Sequence, residues 1–178
     1  ILEVEALRYL RYNNHQKSKD KTKVCNKTDK NNILIIGEFR LDPTLDMLHA
    51  IRQTKIDFNK VSISFKPHPA CKINQALIRM PEVLITNEPI DTIVRNFDLV
   101  IVAGNSSATL DIYYSYVDII VYLGRHDLNL CPLEAISDCF FVRTSTDFNI
   151  ALAAINENDK RVYNKKDFFW TEKNLPRW

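Results

Sequence analysis

From Ile33 onward, short runs of β-branched and leucine residues alternate with stretches whose apolar positions recur every three or four residues. Ile33–Ile36 is a continuous apolar run, as expected of a strand buried on both faces. Asp42–Thr54 puts Leu45, Leu48 and Ile51 on one side of a helix. The same reading gives strands at Val61–Phe65, Val83–Ile85, Leu99–Val102, Ile119–Leu123 and Cys139–Val142. Helices fall around Ile73–Arg79, Ile90–Asn96, Ser106–Tyr116, Leu133–Ser137 and Asp147–Ile155. Strands and helices in strict alternation, joined by short turns, imply right-handed crossovers and a parallel sheet. The expected fold is α/β: a Rossmann-like three-layer α/β/α arrangement with about six parallel strands.

The ends read differently. Ile1–Tyr12 carries Leu2, Ala6, Leu7 and Leu10 at helical spacing, and Asn13–Asn32 is almost wholly polar, rich in Lys and Asn. A solvated linker explains such a tract better than a basic binding site. The expected organisation is a helix and linker over 1–32 belonging to an absent N-terminal domain, a Rossmann-like domain over 33–156, and an aromatic tail over 157–178 packing on the body.

Composition narrows the functions. The chain has 178 residues, 46% of them hydrophobic and 26% charged, enough for one full core. A net charge of +2 is too small an excess for a generic nucleic-acid binder. Cys25, Cys71, Cys131 and Cys139 are scattered without C-x-x-C or matching His spacing, so neither zinc nor a disulfide framework is expected; reduced thiols in a cytoplasmic protein are. No apolar run reaches the ~20 residues that span a bilayer.

In an open parallel sheet, ligands bind beyond the C-terminal strand ends where the strand order reverses. Gly37-Glu38-Phe39 follows the first strand, Lys66-Pro67-His68-Pro69 the second and Thr86-Asn87-Glu88-Pro89 the third. Gly104-Asn105-Ser106-Ser107 follows the fourth strand and Gly124-Arg125-His126 the fifth. With the common order 3-2-1-4-5-6, the first and fourth of these loops flank the crevice. Three glycines in the whole chain leave no G-x-G-x-x-G and no phosphate loop of the G-x-x-x-x-G-K-[ST] type. Gly104-Asn105-Ser106-Ser107 instead runs straight into a helix. The free N–H groups and hydroxyls there could hold a phosphate, or Asn105 or Ser106 could simply cap the helix. Two prolines around His68 stiffen its loop, and the imidazole can donate to a phosphate oxygen or serve only to hold the loop.

KPHP after the second strand, then DLVIVAGNSSATLDI and DIIVYL, resembles the C-terminal domain of GT-B-fold glycosyltransferases. The resemblance is to bacterial surface-carbohydrate and capsule enzymes: teichoic-acid glycerophosphotransferases, and sialyl- and Kdo-transferases with an HP motif. It covers roughly Ile33 to Ile155. It implies a metal-independent transferase that needs no cofactor and takes a nucleotide-sugar as donor. The implied phosphate and nucleotide contacts are Lys66, His68, Asn105, Ser106 and Ser107, together with Gly37 and Glu38. Glu88 is placed near ribose or base, and Asp111 matches the family's acidic position. His68 is the implied leaving-group stabiliser, with the catalytic base in the absent domain. The location implied is cytoplasmic, at the inner membrane through the full-length protein. Gly-Asn-Ser-Ser replaces the family's usual lead-in, which leaves donor identity open. The alternatives are a non-catalytic Rossmann-like scaffold or regulatory domain and a UDP-sugar epimerase-like domain.

Overall fold

The computed structural model describes residues 6, 7, 9, 31–57, 60–115, 117–124, 127–134, 139–157 and 174–175. The chain divides into two units, Lys27–Arg161 and the pair of segments Ile1–Asn26 with Val162–Trp178. In the second, Tyr9 donates its N–H to the Ala6 carbonyl at 2.8 Å. The rest of the expected opening helix, the linker up to residue 30 and all of the tail except residues 174–175 lie outside the described residues, as do Arg125 and His126.

Lys27–Arg161 is built on six parallel strands. β1 (Asn31–Ile36), β2 (Val61–Lys66), β3 (Val83–Ile85), β4 (Leu99–Ala103), β5 (Asp118–Tyr122) and β6 (Cys139–Val142) line up as β3-β2-β1-β4-β5-β6. In register, Ile33 of β1 pairs with Ile63 of β2 on one side and Leu99 of β4 on the other. Every residue of β4 is buried, as a strand covered on both faces requires. The helices are α1 (Leu41–Arg52), α2 (Gln75–Ile78), α3 (Ile90–Ile93, continued by a 3-10 turn at Val94–Asn96), α4 (Ala108–Tyr113) and α5 (Ser145–Glu157). The Rossmann-like class and the strand order expected from the sequence are therefore those observed.

Local chemistry sets the boundaries. α1 buries Thr44, Met47, Leu48 and Ile51, one stripe at helical spacing. Asp42 in its first turn and Arg52 in its last suit the helix dipole. α5 starts at Ser145, two residues earlier than the apolar period implied, because Thr144 and Asp147 form a capping box. Thr144 Oγ1 accepts from the Asp147 N–H at 3.2 Å, and Asp147 Oδ2 accepts from the Thr144 N–H at 3.0 Å. A further bond from the Arg143 N–H is the largest cause holding the Asp147 carboxyl below its ordinary pKa. β1 takes in Asn31 and Asn32, which composition had given to the linker. The Asn32 N–H bonds Asp98 Oδ2 at 2.9 Å, and the Asp98 N–H returns to the Asn32 carbonyl at 2.9 Å.

The core lies on both faces of β1, β4 and β5, with Ile35, Ile101, Ile120 and Phe148 fully buried. At the C-terminal edge the ladder continues past the strands. Gly37 N–H bonds the Lys66 carbonyl (3.0 Å), Thr86 N–H that of Phe65 (2.9 Å), Gly104 N–H that of Tyr122 (2.8 Å) and Leu123 N–H that of Val142 (2.8 Å). The loops that leave this edge thus start from fixed positions. Among the described residues, no helix is long and apolar enough to cross a membrane.

Candidate functional site

The strand order reverses between β1 and β4, so Gly37–Arg40 and Gly104–Ser107 leave the sheet side by side. An open groove of about 500 Å³ lies there, lined by Phe39, Arg40, Gly104, Asn105, Ser106, Ser107, Leu130 and Pro132. That volume falls within the range of small-molecule sites. A small notch adjoins it and shares Gly104 and Asn105; Glu38, Tyr122, Gly124 and Asp127 are also among its walls.

Gly104 packs closely against its neighbours. A Cβ there would lie 2.6 Å from Leu123 Cδ2 and 3.2 Å from the Tyr122 carbonyl oxygen. The loop beyond differs from the helix entry expected at Ser106. Ser106 Oγ accepts from the Ala108 N–H at 3.3 Å, and the Ser106 carbonyl accepts from Thr109 Oγ1 at 2.6 Å and from the Thr109 N–H at 3.2 Å. These bonds hold Ser106 and Ser107 in a turn ahead of α4, whose six residues offer only a small dipole. The hydroxyls therefore matter more than the helix end. The N–H groups of Asn105 and Ser107 make no hydrogen bond among the described residues, which leaves them open as donors.

Arg40 is the groove's cation, and sequence reasoning missed it. Its Nε donates to Glu38 Oε1 at 2.7 Å, and its guanidinium carbon lies 5.7 Å from the Phe39 ring centroid. The arginine is 45% exposed, whereas Glu38 is 2% exposed. The pair therefore presents a positive face to the groove and keeps its carboxylate inside. Thr44 steadies this corner: its Oγ1 accepts from the Glu38 N–H at 3.1 Å and donates to the Arg40 carbonyl at 2.9 Å. Arg40 stands just past the Gly37-Glu38-Phe39 motif, and its position at the entry of α1 was the signal that could have found it.

The other expected residues are spread along the same edge. His68, half-buried after β2, accepts at Nδ1 from the Ala70 N–H at 3.1 Å, which puts the ring proton on Nε2 as a donor. Its ring meets Phe39 edge-on at 6.4 Å. β1 separates β2 from β4, about 10 Å across the sheet. His68 thus reaches the groove through Phe39 and does not line it, and half-buried Lys66 stays at the end of β2. Glu88 is exposed beyond the edge strand β3, with its N–H on Thr86 Oγ1 at 3.4 Å, and lines neither cavity. Asp111 is 1% exposed within α4 and also lines neither.

Two further groups bear on the chemistry. Arg143 donates from Nη1 to the Gly124 carbonyl and from Nη2 to the Asp127 carbonyl at 3.1 Å, clamping the loop behind the notch. Cys131, between the groove residues Leu130 and Pro132, is buried, and that burial raises its thiol pKa above the ordinary value. It is not poised as a nucleophile. Cys71 and Cys131 are free cysteines. Among the described residues, no three His, Cys, Asp or Glu side chains come together to hold a metal.

No protein-family model matches this chain, and no curated protein does. Solved structures do match. The glycosyltransferase SnogD from Streptomyces nogalater aligns with a TM-score of 0.51 and 12% identity over 72% of this chain. The spinosyn rhamnosyltransferase SpnG aligns with a TM-score of 0.52 and 17% identity over 73% of this chain. The fold is glycosyltransferase-like. At these identities the likeness is one of fold alone, and the chain spans 38% of the length of each of these two proteins.

Proposed function

We propose that Lys27–Arg161 is the donor-binding domain of a metal-independent GT-B glycosyltransferase, holding a nucleotide-sugar at the β1/β4 switch point. The observation that carries this reading is the groove, which gathers Arg40, the Ser106 and Ser107 hydroxyls and two open backbone N–H groups where the strand order reverses. Such donors suit phosphate oxygens, and an arginine adds charge-assisted bonds. A ligand that runs from the groove past Phe39 would meet a further donor there, the Nε2–H of His68.

The KPHP and GNSS motifs support assigning the parent protein to bacterial surface-polysaccharide assembly, whether lipopolysaccharide, capsule or O-antigen. The acceptor site and the catalytic base would then come from an N-terminal domain of the same protein, with the reaction on the cytoplasmic side of the inner membrane. The fold likeness, covering 38% of each of the two glycosyltransferases, fits a domain that binds donor and does not complete the transfer alone.

Titration calorimetry with CMP, CDP, UDP and GDP at millimolar concentrations tests the reading, and at least one of them is expected to bind without added metal. His68→Ala is expected to weaken that binding by about 1–3 kcal/mol, the worth of one hydrogen bond to a charged group. Its melting temperature should hold, because His68 is half-buried in a loop and adds little to the core. A lower melting temperature with unchanged affinity would make His68 a loop-stabilising residue only. Absence of heat with all four nucleotides would remove the donor-binding reading.

A further inference from the structure

We infer that the notch beside the groove is a hydroxyl-recognition subsite, in which Glu38 accepts from a ligand hydroxyl while the phosphates lie next door. The inference rests on the donor-binding reading and names the chemistry of a second part of the same ligand. Glu38 lines the notch at 2% exposure. One carboxylate oxygen is held by Arg40, and the other has no hydrogen-bond partner among the described residues. No side-chain oxygen or nitrogen among them is both sealed from solvent and unpartnered, so that second oxygen keeps some access to solvent. A carboxylate this deep is costly unless its acceptor sites are used.

The notch has room for about one water-sized group. Its lining also includes Asp127, whose carboxylate has no hydrogen-bond partner among the described residues and packs over Gly124. With one Glu38 oxygen paired to Arg40, the remaining carboxylate oxygens around so small a space are acceptors suited to an O–H donor. The groove and the notch share Gly104 and Asn105, so one ligand can place phosphate in the first and a hydroxyl in the second. The hydroxyl belongs to a ribose or a neutral sugar ring, both of which offer the same donor.

The test is calorimetry on the wild type, Glu38→Gln and Asp127→Asn. The probes are UDP and CDP, their 2′,3′-dideoxy counterparts, UDP-glucose, CDP-glucose and inorganic pyrophosphate. Glutamine retains a carbonyl for Arg40 but removes the charged acceptor from the notch. Glu38→Gln is expected to bind hydroxylated probes about ten-fold more weakly and pyrophosphate at least as well as before. Asp127→Asn leaves the Glu38–Arg40 pair intact and should show a smaller loss of the same selectivity, which keeps the test alive if Glu38→Gln fails to fold. If ribose fills the notch, UDP or CDP weakens with its sugar conjugate and the dideoxy forms are insensitive. If the transferred sugar fills it, only the conjugates weaken. Equal weakening of pyrophosphate and nucleotides would mean that Glu38 only positions Arg40, and unchanged affinity for every hydroxylated probe would mean that the notch holds water; either result overturns the inference. If the wild type binds none of the probes, the donor-binding reading falls and the inference falls with it.

Discussion

Truncating Phe148 to alanine is expected to cost the domain about 3–5 kcal/mol of stability, as deletion of a fully buried ring does elsewhere. Phe148 is wholly buried and stacks on Tyr122, with centroids 5.9 Å apart and planes 10° from parallel. Tyr122 in turn donates its hydroxyl to Asp46 Oδ2 of α1 at 2.8 Å and forms part of the notch wall. One ring therefore ties α5 to β5 and, through the tyrosine, to the helix that follows the Glu38–Arg40 loop. Chemical denaturation of the variant measures the effect directly. A loss below about 1 kcal/mol would mean that α5 does not pack as described.

Replacing Gly104 by valine is expected to abolish detectable nucleotide binding and to cost about 1–3 kcal/mol of stability. The added carbons meet Leu123 on one side and the fixed Tyr122 carbonyl on the other, and the site has no room to relax outward because the Gly104 N–H is bonded to that same carbonyl. Gly104 lines both cavities, so displacing it shifts the groove and the notch together. Alanine should do less, since its one contact under 3.0 Å is with the movable end of the Leu123 side chain. Calorimetry and denaturation on the two variants separate these effects. A valine variant with wild-type affinity would place the ligand elsewhere.

The fold was legible because its signal is carried by whole segments. Runs such as Leu99–Ala103 have no polar residue to give a solvated face, and the short connections leave little choice beyond a parallel sheet. The convergence of the Gly37 and Gly104 loops followed from strand order, a property of topology that the alternation of elements already constrains. Boundaries failed where side chains compete with the helix or pair across the chain. Ser106 and Thr109 hold a turn ahead of α4, and Asn31 and Asn32 look like linker until Asn31 is seen to pair with Val61 and Asn32 to bond Asp98.

The site was legible to the level of loops only. His68 and Ser106 leave neighbouring parts of one edge, but Phe39 lies between the histidine and the groove, a placement that no linear motif records. Arg40 escaped notice because a lone arginine before a helix has many uses. What marks it is the buried Glu38 that orients its guanidinium, and burial depends on packing from α1.

The central claim is that the ligand sits at the β1/β4 switch point, and backbone amide shift mapping by NMR on Lys27–Arg161 tests it most directly. Titration with CMP, CDP, UDP and GDP is expected to move the amides of Gly37–Arg40, Gly104–Ser107 and Leu123–Gly124 together, with saturation at millimolar nucleotide. Glu88 and Asp111 should move little, because neither lines the groove or the notch. Shifts confined to another face of the sheet, or none at millimolar concentrations of any of the four, would contradict the account.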